Sequence, residues 1–201
     1  MKELTADDLI SIEEYDRARE SFRASIIALK QRRRISVGPL ITLVFENRDT
    51  LRFQIQEMIR AERIIDPVKV QEELDVYNAL LPGPDEVSAT LLIEITEEAT
   101  VKDKLDQFMG LDHGNKVSII ADGDVIFGEF EGGRSHDTKI SAVHFVRFRP
   151  TVSMKRTFTD LTRPVKIRVD HGGYQKEVSV PGTMREEWLA DLKGNAELLT
   201  I

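Results

Sequence analysis

The chain of 201 residues contains no cysteine. That one absence excludes disulfides, a thiolate nucleophile, iron–sulfur ligation by the chain's own thiolates and every cysteine-type zinc site. Any metal would have to be held by histidine and carboxylate. Long apolar runs are also missing, since nothing approaches the roughly eighteen consecutive apolar residues of a membrane-spanning helix. The opening MKELTADDLISIEEYDR carries acid where a secretory signal needs a positive flank and an apolar stretch. A cytosolic protein without a membrane partner is expected. The chain has no P-loop, no Rossmann glycine pattern, no Gly-x-Ser-x-Gly elbow, no HExxH and no Glu-x-x-His pair. A familiar class of enzyme is therefore not indicated.

Positive charge is in deficit as well. The net charge of −7 sets the average surface against nucleic acid and anionic membrane. The one basic cluster is Lys30, Arg32, Arg33 and Arg34. It closes a segment that reads as a helix from Ile12 to about Arg34, capped by Ser11 and Glu14 and acidic in its first turn. Acid at the start and base at the end suit the helix dipole, which explains the cluster without a ligand. Nucleic-acid binding is the rival reading.

Hydrophobic residues at 41% and charged residues at 31% are those of an ordinary globular chain, long enough to bury about 70% of its unfolded surface. In the first helix Ile12, Tyr15, Ala18, Phe22, Ile26 and Leu29 step by three and four. Val37-Gly38-Pro39 breaks the chain before an apolar strand at 40–45. Asn47 to Thr50 then caps a second helix with Leu51, Ile55, Met58, Ile59 and Ile65 on one face. Asp66 and Pro67 open a third, with a stripe of Val70, Leu74, Tyr77 and Leu81, which Pro82-Gly83-Pro84 ends.

Residues 87–95 read as a central strand. A short helix at about 101–109 follows, with Thr100 as its cap and Gly110 at its stop. Strands at 116–121 and 125–130 flank Asp122-Gly123-Asp124, a strong hairpin signal. After the polar loop EGGRSHDTK comes a strand at 140–148. Strands at 165–169 and 174–180 precede a last helix at about 184–193, with Thr183 and Glu186 as its capping box. The class is α+β: a mostly antiparallel sheet of about seven strands with about five helices packed on it. Residues 1–150 form the main domain. The hairpin and helix of 151–201 either join its core or stand apart.

Chemistry is sought where polar groups fall on apolar faces, because burial there is costly without a partner. At about 100° per residue, Glu62 lies between Leu51 and Ile55 on the second helix, at roughly 20° against 0° and 40°. Alternation puts His144 on the face of Ile140, Ala142, Val146 and Phe148. In one reading Glu62 and His144 meet, with Glu57, Glu94 or Arg147, as a buried acid–base pair or as ligands of a divalent metal such as zinc, manganese or iron. In the other, Glu62 pairs with an arginine and His144 is a satisfied core histidine.

His113 and His171 fall in turns and His136 in the polar loop. Gln54, Gln56, Glu57, Arg60, Glu62 and Arg63 give the second helix a polar flank. There Glu57 and Arg60 form either a modest i, i+3 pair or part of a partner-docking face. Trp188, the single tryptophan, is a core residue by default and an interface anchor in the rival reading.

Several stretches taken together resemble a known family: LTADDLISIEEYDRAR, ALKQRRRISVGP, LVFENRDTLRFQIQEMIRAERI, QEELDVYNALLPG, ATLLIEI and SAVHFVRF, in that order. The chain is similar, to about Phe148 and more weakly through VDHGGYQ and the last helix, to an uncharacterised bacterial family, domain of unknown function 3501. The resemblance implies a small cytosolic protein encoded beside rubrerythrin-like proteins and iron–sulfur oxidoreductase components, hence an accessory to peroxide detoxification or electron transfer. It supplies no catalytic residues. The expected function is that of a binding or accessory protein for a redox partner. The alternative is an enzyme or metal-binding protein using Glu62 and His144.

Overall fold

The computed structural model describes residues 1–132, 140–194, 198–199 and 201. The elements in chain order are α1 (Ile12–Arg33), β1 (Arg34–Ser36), β2 (Ile41–Glu46), α2 (Arg48–Glu62), α3 (Pro67–Asn78), β3 (Val87–Ile93), α4 (Val101–Asp106), β4 (Val117–Ala121), β5 (Asp124–Phe127), β6 (Glu129–Phe130), β7 (Val143–Phe148), α5 (Val152–Thr159), β8 (Val165–His171), β9 (Tyr174–Ser179) and α6 (Gly182–Lys193). The class is α+β and every strand pairing is antiparallel. The strands form two sheets, β1-β2-β3-β7-β6 and β5-β4-β8-β9, where one sheet was expected.

Gly128 makes the division possible. The β4–β5 hairpin turns tightly on Asp122 and Gly123, both at positive φ, as a two-residue primed turn requires. The chain then leaves one sheet at Phe127 and joins the other at Glu129. A side chain at Gly128 would run into Val146 and Phe148. Only glycine lets the two sheets approach there, and a continuous strand over 125–130 is corrected to two short ones.

Local capping chemistry explains the early helices. Ser11 and Glu14 exchange the two bonds of a capping box, as do Asn47 and Thr50, and Asp66 accepts from Val68 N–H with Pro67 in the first helical position. Two other expectations fail. α6 begins at Gly182, with the Met184 and Arg185 amides bonded to the Pro181 carbonyl, so Thr183 and Glu186 form no capping box. α5 was missed altogether, although Thr151 caps it and Met154, Thr157 and Phe158 lie buried at helical spacing.

The largest apolar cluster draws on both sheets and on α5 and α6: Ile41, Leu43, Phe45, Val146, Phe148, Val165, Ile167, Phe158 and Trp188 all belong to it. The elements α5, β8 and α6 therefore share the core of the preceding chain. All six residues of β2 are buried. Alternation sends Ile41, Leu43 and Phe45 into this core, while Thr42, Val44 and Glu46 take the opposite face, where Glu46 meets Thr50 and Gln54 of the helical layer. There Leu51, Ile55 and Ile59 of α2 pack with Leu74 and Leu81, and Tyr15, Phe22, Ile26 and Leu29 of α1 form a third cluster. Trp188 is wholly buried, edge-on to Phe45 at 4.7 Å, and so cannot be a surface anchor.

Candidate functional site

Glu62 and His144 end in different environments. Glu62 is the last residue of α2 and is exposed. Two effects defeat the wheel argument. Arg63 turns the chain out of the helix in the left-handed conformation, which leaves Ile65 off the helix and exposed. The buried face also includes the polar residues Arg52 and Gln56, so its centre is rotated away from Glu62. No hydrogen bond or ion pair joins Glu62 to His144 among the described residues.

His144 is buried completely, on the face of β7 shared with Val146 and Phe148. Its Nε2 lies 2.8 Å from the Ser141 carbonyl. A carbonyl only accepts, so the ring proton sits on Nε2 and the Nδ1 edge looks elsewhere. Asp112, in the loop after α4, brings its Oδ2 to 3.8 Å from that Nδ1, and Phe130 stands edge-on to the imidazole at 5.9 Å. The Asp112 side chain is 9% exposed, and its Oδ1 is buried with no hydrogen-bond partner among the described residues. His113 places Nδ1 3.8 Å from this second oxygen but is itself 83% exposed. His136 lies outside the described residues. No group of three or more His, Asp or Glu side chains among the described residues is arranged to hold a metal ion.

Glu57 and Arg60 do not pair with each other. Glu57 takes a bidentate contact from Arg19 at 2.8 Å and the Tyr15 hydroxyl at 2.7 Å, and Arg60 reaches Asp16 at 2.5 Å. Both bind α1 to α2. The Arg19 guanidinium holds the Glu57 carboxyl below its ordinary value of 4.5, helped by Tyr15 and opposed by partial burial. Burial, then the Glu57 contact, pushes the Tyr15 phenol well up. For a depressed carboxyl the stability is present above the unfolded value and is lost as pH falls through the folded one. Thermal melts should therefore show Glu57→Gln less stable than wild type at pH 7, with the gap closing below about pH 4. A gap that does not narrow as the pH falls would refute this account.

The basic cluster divides between a buried arginine and three partly exposed cations. Arg33 is buried and grips Asp191 of α6 through Nη1 and Nη2 at 2.9 and 2.6 Å, with Nε on Glu187 at 3.0 Å. Arg32 pairs with Glu187, Arg34 with Glu94, and Lys30 lies over the Phe53 ring. Burial opposes charge on Arg33, but the two carboxylates outweigh it and hold the guanidinium above its ordinary value. Of the four, only Arg33 is withdrawn from the surface by its burial, while Arg32 and Arg34 keep about half of their side chains exposed.

An apolar groove of about 360 Å³ lies where the N-terminal segment meets the α2–α3 connection, lined by Leu9, Ile10, Ile12, Ile59, Ile64 and Ile65. Ile65 is 84% exposed and Val68, just beyond it, 66%. Elsewhere, His171 stacks on Phe108 at 6.3 Å and Tyr174 meets the same ring edge-on at 5.1 Å, with the Tyr174 hydroxyl donating to the Val37 carbonyl. These serve to lock the two sheets together.

The family model described as protein of unknown function DUF3501 matches residues 3–192. The chain belongs to this family. A crystal structure of a novel protein of unknown function from Burkholderia pseudomallei K96243 is similar to it, with a TM-score of 0.86 and 32% identity over 95% of this chain and 100% of that one. None of the curated proteins compared with the chain matches it. The family expectation drawn from the quoted stretches is thus met.

Within this DUF3501 fold, sequence reasoning missed three polar features. Asp112 follows a helix stop and looks like turn chemistry. Glu46 ends β2, yet it is 3% exposed and accepts from the hydroxyls of Thr50 at 2.5 Å and Thr90 at 2.6 Å. Asp49 and Arg52 look like ordinary first-turn residues of a helix but are buried. Each lacks a one-dimensional signal because a distant segment covers it.

Proposed function

We propose that the protein is an accessory binding protein of the cytoplasm that docks a redox partner through the apolar groove at the α2–α3 corner. The observation that carries this reading is the exposure of Ile65 and Val68 beside a groove already lined by Leu9, Ile12 and Ile64; contiguous exposed apolar surface is a mark of interaction sites. Glu13 lines the groove, and the exposed charged residues close in sequence to its lining include Asp7, Glu62 and Asp66 against Arg63 and Lys69. That excess of acid fits an amphipathic segment with an apolar face and basic flanks. The partner class, a rubrerythrin-like or iron–sulfur protein, is the one the family resemblance implies. Glu57 and Arg60 contribute by fixing α1 against α2 next to the groove.

The test is a titration of a purified rubrerythrin-like protein from the same cell against wild type and Ile65→Asp, followed by calorimetry. The variant should bind about tenfold more weakly, equivalent to about 1.4 kcal/mol, with an unchanged melting temperature because Ile65 buries little. Equal affinity in both proteins, or no binding to wild type by this or an iron–sulfur partner, removes the reading.

A second reading is favoured by the Asp112 carboxylate, whose buried Oδ1 has no hydrogen-bond partner among the described residues and whose Oδ2 faces His144. A histidine that gives its remote N–H to a carbonyl is arranged as metal-binding histidines are. A separation of 3.8 Å between Nδ1 and Oδ2 lets one divalent cation bridge them at ordinary bond lengths of about 2.0–2.2 Å. Mass-spectrometric metal analysis of protein purified anaerobically without chelator or histidine tag should then find metal in wild type and none in folded Asp112→Asn or His144→Ala. Metal-free wild type returns both residues to the core.

A further inference from the structure

Asp49 and Arg52 occupy the first turn of α2, three residues apart, with side chains only 6% exposed. Nothing in the sheets needs two charges there, and burying them is costly unless they are paired and bonded. They are paired with each other at 3.2 Å. Their remaining bonds go to the main chain of a single residue far along the sequence. Asp49 Oδ1 accepts the Leu199 N–H at 2.8 Å, and Arg52 donates to the Leu199 carbonyl.

Holding the N–H and C=O of one residue is how an adjacent strand reads an extended peptide, without regard to its side chain. The Leu199 side chain is accordingly half-exposed, while its neighbours supply apolar contact. Leu198 packs on the cluster of Leu4, Leu51 and Ile55, and Ile201 on that of Tyr15, Phe22 and Ile26. The Arg52 guanidinium lies 5.2 Å from the centre of the Phe22 ring, which fixes its direction. The reading pair sits on a helix, so it stays in place whether or not Leu198, Leu199 and Ile201 cover it.

We infer that Asp49 and Arg52 form a peptide-binding site that reads main chain, filled in cis by Leu199 with Leu198 and Ile201 packed beside it, and open in trans to an extended apolar segment of the Leu-Leu-x-Ile kind. The inference is independent of the groove at Ile65. A tethered segment competes at an effective concentration on the order of millimolar, so a free peptide binds appreciably only when the cis segment is weakened.

The probe is a fluorescein-labelled peptide of residues 195–201, NAELLTI, titrated by fluorescence anisotropy into the full-length chain. Leu199→Pro removes the N–H that Asp49 accepts and should admit the peptide at least tenfold more tightly than wild type. Adding Asp49→Ala or Arg52→Ala should weaken that binding tenfold or more. A peptide N-methylated at the residue matching Leu199 should fail to bind, which mere apolar adhesion would not predict. Should circular dichroism show Leu199→Pro unfolded, the full-length double variant Leu198→Ser, Ile201→Ser replaces it with the same expectations. Absence of saturable binding to the folded variant, or binding indifferent to Asp49 and Arg52, overturns the inference.

Discussion

Asp191→Ala is expected to destabilise the protein by about 3–5 kcal/mol, because it strands the buried Arg33 charge without its bidentate partner. For a chain of this size that is a fall of roughly 6–20 °C in melting temperature. The reasoning rests on geometry. Both side chains are 1% exposed, the two bonds measure 2.9 and 2.6 Å, and Glu187 is the only other carboxylate on Arg33 among the described residues. The contact joins the end of α1 to α6 and lies against the Phe45 and Glu46 carbonyls of β2. Replacing both partners together, Arg33→Leu with Asp191→Leu, should recover most of the loss, since apolar residues of similar size often substitute for a buried pair without penalty. Thermal melts of the three proteins decide the matter. A loss below about 1 kcal/mol for Asp191→Ala would mean that Arg33 reaches water.

Trp188→Ala is expected to cost a similar amount, about 3–5 kcal/mol, through the cavity it leaves. The indole sits between Phe45 of β2, at 4.7 Å, and Phe158 of α5, at 5.3 Å. It therefore connects the first half of the chain to the last. Its Nε1 makes no hydrogen bond among the described residues. Trp188→Phe consequently forfeits volume alone and should cost only about 1–2 kcal/mol. Urea unfolding followed by circular dichroism is the measurement, because the variants lose the sole tryptophan. A single cooperative transition is also expected, as both halves share one core. Comparable losses for the alanine and phenylalanine variants would indicate a hydrogen bond to Nε1 and contradict the packing described.

The functional predictions carry smaller energies but sharper consequences. Ile65→Asp acts on a residue whose exposure is a direct result of Arg63 leaving the helix. A helical wheel puts Ile65 on the buried face because it takes the helix to continue past Glu62. His144 was placed correctly on the apolar face of its strand, because alternation over a few residues is robust to where the strand begins. Its carboxylate neighbour was not, since Asp112 comes from a loop and its approach depends on how one sheet lies on the other.

The sequence by itself determined the α+β class, the family, three helix starts and the β4–β5 turn. These depend on side chains within three or four residues of one another, where caps, periodicity and turn residues act. The packed layers decide that the strands divide into two sheets at Gly128, that Arg33 of the basic cluster is a buried ion pair with Asp191 of α6, and that Glu62 faces water while Asp112 meets His144. They also decide that Asp49 and Arg52 hold Leu199. Each of these joins residues distant in the chain, and the burial that gives such a contact its energy exists only once the layers have packed.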